Sequence, residues 1–144
     1  IVNFFDEIKF NVLLEEGDII VQNLVTTFKE SANINLNDTQ LIVDENNKLK
    51  FAGFFDLDFV DVKKFFDHYQ VNIKDRKYIK KINLSFLFHF DDKYIEIYNL
   101  KVDGKTNQNL DKFLENFNSK KGNIFNKIVV RKSIKDFFKI ISLD

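Results

Sequence analysis

The sequence has no Cys, Pro, Met or Trp, and only 4 of its 144 residues are Gly. Without Cys, the chain forms no disulfide, no thiolate zinc site and no cysteine nucleophile. Its few glycines do not form a glycine-rich phosphate loop, and the sequence has no nucleophile elbow. The apolar runs are too short for a membrane-spanning helix. These absences exclude several classes of enzyme and of membrane-spanning segment.

The charge is balanced in sum but not along the chain. The 22 basic and 22 acidic side chains cancel, which argues against a nucleic-acid partner held by general phosphate neutralisation. Residues 1–60 carry 4 basic and 11 acidic side chains, a net charge of −7, whereas residues 61–144 carry 18 basic and 11 acidic side chains, a net charge of +7. Such asymmetry can orient a domain against a charged partner, although a solvated surface whose two parts differ gives the same pattern.

The apolar residues are numerous enough for a hydrophobic core. Hydrophobic residues make up 44% of the chain, and 18 of them are Phe, so disorder is not expected. The length is that of one domain. Because the chain begins at Ile1 and has no Met, we expect residues 1–144 to be a single domain from a longer protein.

Alternating apolar and polar residues predict strands over much of the chain. The predicted strands are residues 8–14, 19–28, 32–36, 41–43, 49–59, 82–90 and 94–102, about seven in all. Polar turns at 15–18, 45–47 and 91–93 join neighbours, and a break is expected near Asp38. Short turns and faces of different polarity favour an antiparallel sheet with one side exposed to water.

Two short helices are predicted where the apolar spacing changes to i, i+3, i+4 and i+7. The first stripe is Val62, Phe65, Phe66 and Tyr69, and the second is Leu110, Phe113, Leu114 and Phe117. Asp61 is the expected N-cap of the first helix, and Asn107 or Asn109 that of the second. Residues 120–122 resemble a C-cap. The C-terminal tail, residues 123–141, fits a helix best, although residues 128–130 also fit a strand.

These elements predict a β-rich α+β fold: a curved antiparallel sheet with short amphipathic helices on one face or end. The two helical stripes align at a constant offset of 48 residues. The domain could therefore contain repeat units 1–70 and 71–122, followed by a helical tail, 123–144. Any two amphipathic helices resemble each other, so a single unit explains the stripes equally well.

Candidate catalytic residues are few. His68 and His89 are the only histidines, and no potential metal ligands cluster near them in the sequence. Asp56 and Asp58 resemble an acidic pair that holds a divalent ion, but the same predicted strand face also carries Lys50. A solvated surface explains these side chains better than a metal site does. We therefore expect no enzyme, no metal and no cofactor.

The unusual feature is the amount of Phe on predicted strands. The candidate ligand-binding residues are Leu49, Phe51, Phe55, Leu57, Phe59, Leu84, Phe86, Phe88 and Phe90. An apolar sheet face of this kind is ordinarily covered by helices as part of the core. If the short helices do not cover it, an open apolar groove remains, which is a binding surface for lipid or for a protein partner.

The chain resembles the AsmA-like family of bacterial envelope proteins, which includes AsmA, TamB and YhdP. The resemblance rests on long strands joined by polar turns, on residues 61–66 that follow such a strand, and on residues 95–104, which read I-x-I-x-N-L-x-V-x-G. Residues 109–114 and 123–127 are similar to C-terminal regions of the family. The resemblance extends from about Asp18 to Ile141, and none of its motifs is diagnostic alone.

The resemblance implies an internal or C-terminal segment of a periplasmic protein, tethered to the inner membrane by a segment outside this chain. It implies a curved sheet whose apolar groove carries phospholipid or another envelope lipid, no catalytic residues, and a role in lipid transport or outer-membrane assembly. Other envelope proteins are further expected partners. The alternative function is an interaction module whose basic second half docks on an acidic partner or a membrane surface.

Overall fold

The computed structural model describes residues 8–15, 18–120 and 126–143. The strands are β1 (Ile8–Glu15), β2 (Asp18–Phe28), β3 (Ala32–Val43), β4 (Leu49–Phe59), β5 (Lys81–His89) and β6 (Tyr94–Val102). The helices are α1 (Val62–Tyr69), α2 (Gln108–Ser119) and α3 (Lys127–Ile141), and a 3-10 turn spans Ile73–Asp75. The strands form one antiparallel sheet in chain order. The predicted α+β fold is confirmed.

The sheet has six strands where the sequence predicted about seven. The predicted break at Asp38 is a bulge inside one continuous strand, β3, so the two predicted fragments are a single strand. Asn23 in β2 and Asn99 in β6 occupy positions equivalent to that of Asp38. The φ angles of Asn23, Asp38 and Asn99 are 53°, 47° and 52°. Asn and Asp tolerate this left-handed conformation better than other side chains. Bulges bend strands and increase their twist, as a curved sheet requires.

One face of the sheet, here called the inner face, carries the core. Ile34, Leu57 and Ile82 lie opposite one another on β3, β4 and β5, and all three are buried. On the other side of the same strands, Asp56 lies between Asn35 and Asn83. The alternation of apolar and polar residues therefore follows the pleat, as the sequence predicted. Phe90, predicted to end β5, instead lies in the turn after it.

Each helix begins at a side-chain cap. The Asp61 carboxylate accepts a hydrogen bond from the backbone N–H of Lys64 at 3.1 Å, which confirms the predicted start of α1. Asn107 Oδ1 accepts from the Leu110 N–H at 2.9 Å, so Asn107 is the cap of α2. Asn126 starts α3 in the same way. These side chains satisfy N–H groups that have no partner within the helix.

The tail residues that the structure describes form a helix throughout α3, not a strand at 128–130. Helix α2 ends at Ser119 with Lys120 as C-cap, while residues 121 and 122 of the predicted cap lie outside the described residues. The same holds for residues 16 and 17 of the first predicted turn.

The caps Asp61 and Asn107 are 46 residues apart, two fewer than the offset that aligns the stripes. None of the described helices is long and apolar enough to cross a lipid bilayer.

Candidate functional site

Helix α3 is held between the other two helices by adjacent aromatic side chains. The ring of Phe138 lies 4.8 Å from that of Phe66 on α1, in an edge-to-face arrangement. The ring of Phe137 lies 5.4 Å from that of Phe113 on α2. The backbone of α3 packs against α2, α1 and the 3-10 turn. Helix α3 therefore bridges α1 and α2 above the inner face of the sheet.

A cleft of about 400 Å³ lies between the inner face and the three helices. Its floor is formed by side chains from five strands: Phe28, Ile34, Phe55, Leu57, Leu84 and Ile97 belong to it. Helix α1 contributes Phe65, helix α2 contributes Phe113 and Phe117, and helix α3 contributes Val130 and Ile134. A cavity of this size and polarity is typical of sites for small apolar ligands.

Two residues bring polar side-chain atoms into the described lining of this cleft, Tyr69 and Ser133. Burial raises the pKa of the Tyr69 hydroxyl to about 12, against an opposing effect of Arg131. His68, beside it on α1, packs its ring against Phe28 at 5.4 Å. Burial lowers the pKa of His68, and the nearby charges of Lys29 and Arg131 lower it further. The described lining therefore carries no charged side chain at neutral pH.

Helix α2 is fixed to the edge strand β6 on one side of the cleft. The Tyr94 hydroxyl donates a hydrogen bond to the backbone carbonyl of Asn118 at 2.6 Å. Leu110, at the start of the helix, is 1% exposed and belongs to the core. This attachment places Phe113 and Phe117 over the cleft.

The structure separates the nine residues that the sequence predicted to form a groove. Phe55, Leu57 and Leu84 line the cleft. Phe59 packs on the core, with its ring 5.1 Å from that of Phe65, and Phe86 is buried. Phe51 and Phe88 are half-buried, whereas Leu49 and Phe90 are 39% and 41% exposed. The helices therefore cover part of the predicted set and leave another part open.

The open part belongs to a second apolar row on the inner face of the sheet. In this row, one apolar side chain from each of β1 to β5 lies opposite the next on the inner face: Leu14, Ile19, Leu41, Phe51 and Phe88. Leu14 is 76% exposed, and Val43, beside this row, is 64% exposed. None of these side chains lines the cleft.

Sequence reasoning missed the helical and β6 walls of the cleft. The sequence predicts the apolar stripe that contains Phe113 and Phe117, but only as a cover for the sheet. Ile95 and Ile97 also line the cleft, and their alternation along β6 was a usable signal. A sequence pattern shows which side a helix buries, but not how far that side stands from the sheet.

Comparison with known proteins gives no relative. No protein-family model, curated protein or solved structure matches this chain. The resemblance to AsmA-like proteins therefore stays a prediction from the sequence motifs.

The candidate catalytic residues lie on the outer face of the sheet or at its border with α1. The Asp56 carboxylate accepts hydrogen bonds from Asn37, at 3.1 Å, and from Asn83, and the Lys81 ammonium lies 3.9 Å from it. His89 Nε2 lies 3.5 Å from the Glu96 carboxylate. Among residues 8–15, 18–120 and 126–143, no three His, Asp or Glu side chains are grouped as metal ligands. Asp56 is therefore held by neighbouring polar side chains of the sheet.

Proposed function

We propose that this domain binds the apolar chain of a lipid in the cleft and has no catalytic role there. The observation that carries the proposal is the lining itself, which is apolar on the sheet side and on the helix side alike. Apolar cavities much smaller than this one stay free of water and bind apolar molecules. Water in the cleft would find few hydrogen-bond partners, so an apolar ligand is the favoured occupant.

The hydrophobic effect on such a chain is of the same size as the cost of association. Each CH₂ group removed from water contributes about 0.8 kcal/mol. A chain of about twelve carbons would gain on the order of 10 kcal/mol, against an association cost of about 4–15 kcal/mol. The net affinity therefore depends on how completely the cleft encloses the chain, and chain length should control it.

The wider role follows from the sequence resemblance. An AsmA-like segment would carry envelope lipid in the periplasm of a bacterium, tethered to the inner membrane by a segment outside this chain. A cleft that holds one lipid chain between a sheet and three helices is compatible with such a carrier. Transfer of a fluorescent lipid between two vesicle populations, measured with and without the domain, tests this role directly.

The decisive experiment fills the cleft without removing core side chains. Ser133→Phe places a large ring in the cleft, because Ser133 lines it from α3. Lys132→Phe, at the exposed neighbouring position, is the matched control for added apolar area. We expect a fluorescent C12 fatty-acid analogue to bind to the parent and to Lys132→Phe, and at least tenfold more weakly to Ser133→Phe.

Circular dichroism must show that both variants are folded. Unchanged binding to folded Ser133→Phe would place the ligand elsewhere and overturn the proposal. Native mass spectrometry with organic extraction provides an independent check, because lipid should co-purify with the parent and not with Ser133→Phe.

The alternative function, an interaction module, is favoured by the basic surface of α3. Arg131, Lys132 and Lys139 are exposed on this helix. Binding to vesicles of anionic lipid that falls steeply with salt and is unaffected by Ser133→Phe would support the module, because salt screens exposed charges. Binding that is insensitive to salt and lost in Ser133→Phe supports the cleft.

A further inference from the structure

A second cavity of about 360 Å³ adjoins the apolar cleft and has a different character. The two cavities share five lining residues and therefore lie side by side: Ile95, Phe113, Phe117, Val129 and Ser133. We call the second cavity the vestibule. An occupant of the cleft therefore lies next to the vestibule.

The vestibule carries charged side chains, which the described lining of the cleft does not. Lys120 at the C-cap of α2 lines it, as do Lys139 and Asp136 on α3. Both lysines are exposed, so their ammonium groups remain hydrated and available to a ligand. The Asp136 carboxylate repels an anion, but the two lysines and Asp136 together carry a net charge of +1.

We propose that the ligand is an amphiphile with one acyl chain and an anionic head group, whose chain occupies the cleft and whose head group lies in the vestibule beside Lys120 and Lys139. This proposal rests on the proposed function, since it adds the class of lipid to the binding of an apolar chain. A lysine ammonium group is a point charge with rotatable hydrogen-bond donors, so it binds a carboxylate or a phosphate in the same way.

The volume of the cleft fits one acyl chain better than two. A water molecule in the liquid occupies about 30 Å³, and this volume is taken here for one CH₂-sized group. A cleft of about 400 Å³ therefore holds about 13 such groups. Two acyl chains of ordinary length exceed this capacity. A fatty acid or a lysophospholipid therefore fits better than a lipid with two chains.

The test compares probes that share one C12 chain. Isothermal titration calorimetry of the intact chain would use dodecanoate, dodecyl phosphate, 1-dodecanol and dodecyltrimethylammonium. We expect the two anions to bind about fivefold to tenfold more tightly than the alcohol, as two exposed charges permit, and the cation to bind most weakly. The tighter of the two anions identifies a carboxylate or a phosphate as the preferred head group.

The variant Lys120→Met/Lys139→Met should erase the preference for anions while leaving the affinity for 1-dodecanol within twofold. The control Lys112→Met/Lys132→Met removes two exposed charges from the same helices, outside the described vestibule lining, and should retain the preference. Retained preference in the first variant would overturn the head-group assignment.

The outcomes separate this inference from the function on which it rests. Equal affinity for dodecanoate and 1-dodecanol would overturn the head-group inference and leave lipid binding in the cleft intact. Tighter binding of dioctanoyl phosphatidate than of dodecyl phosphate would overturn the limit to one chain. If none of the C12 probes binds to folded protein, the proposed function itself fails.

Discussion

The side-chain amide of Asn118 pairs with the backbone of Ile97 as a neighbouring strand would. Asn118 Oδ1 accepts a hydrogen bond from the Ile97 N–H at 3.0 Å, and Asn118 Nδ2 donates to the Ile97 carbonyl at 2.8 Å. Ile97 lies on β6, the edge of the sheet, where backbone groups would otherwise remain open to another strand. One amide thus protects the edge and fixes helix α2 beside the cleft.

Replacing Asn118 should destabilise the protein through these two hydrogen bonds. We expect Asn118→Ala to lower the free energy of unfolding by about 1–3 kcal/mol, since each bond contributes about 0.5–1.5 kcal/mol net. Urea unfolding followed by circular dichroism measures the change. Asn116→Ala, an exposed position on the same helix, should change the stability by less than about 0.5 kcal/mol. Equal effects of the two variants would contradict this role of the amide.

The bulge in β3 requires a glycine on the neighbouring strand. A Cβ atom at Gly53 would lie 2.6 Å from Thr39 Cγ2 and 3.2 Å from the Asn37 carbonyl oxygen. Thr39 is 1% exposed, and its hydroxyl donates to the Val21 carbonyl, so it has little freedom to move. We expect Gly53→Ala to lower the stability by about 1–3 kcal/mol, as overpacking does.

A second substitution tests whether Thr39 is the cause. Thr39→Ser removes Cγ2 and keeps the hydroxyl, so Gly53→Ala should cost less in a Thr39→Ser background than in the parent. Thermal unfolding of the four proteins in this double-mutant cycle gives the coupling free energy. Strictly additive effects would show that the contact with Cγ2 is not what excludes alanine.

Burial of Tyr69 predicts a loss of stability in alkali. Its pKa is raised from 10.0 to about 12, so the folded state holds the proton more tightly than the unfolded chain does. The free energy of unfolding should therefore fall by at most about 2 kcal/mol between pH 10 and pH 12 because of this group. Other groups also titrate in this range, so the effect is read as a difference between variants.

Tyr69→Phe should lose stability less steeply between pH 10 and pH 12 than the parent does. Tyr78→Phe is the control, because Tyr78 is 74% exposed and should leave the pH dependence unchanged. Urea unfolding at several pH values gives the comparison, and absorbance at alkaline pH reports the ionisation of tyrosine. Parallel curves for the parent and Tyr69→Phe would refute the assignment.

The turn between β3 and β4 contains a strongly acidic carboxyl group. The Lys50 ammonium lies 2.9 Å from the Asp44 carboxylate, and the backbone N–H groups of Asn46 and Lys48 donate to it at 2.9 Å and 3.0 Å. These donors lower the pKa of Asp44 from 3.8 to about 2, with the hydrogen bond from Lys50 as the largest cause. The stabilisation is present above pH 3.8 and is lost as the pH falls towards 2.

Lys50→Met should raise the pKa of Asp44 part of the way to its usual value, because the two backbone donors remain. Lys48→Met should not change it, since Lys48 contacts Asp44 through its backbone N–H. Carbon-13 NMR of the carboxyl group over pH 1.5–6 measures both. An unchanged pKa in Lys50→Met would show that the turn backbone alone sets the acidity.

Local patterns in the sequence predicted the sheet well and its bulges only in part. The alternation along β4 places Phe55 and Leu57 on the inner face and Asp56 on the other, because the pleat repeats every two residues. At Asp38 the alternation changes phase, which looks in sequence like the end of a strand. The hydrogen bonds to β2 and β4 continue across the bulge, and these contacts come from residues distant in the chain.

The sequence by itself indicated most strands and helices, the antiparallel pairing of strands that short turns join, and the sides of the helices that are buried. It did so because these properties depend on neighbours two to four residues away. Only the tertiary structure decided that α3 bridges α1 and α2 through Phe138 and Phe137, and that a cleft remains beneath it. The distance between a helix and a sheet depends on how all their side chains fill the space between them, which no single segment encodes.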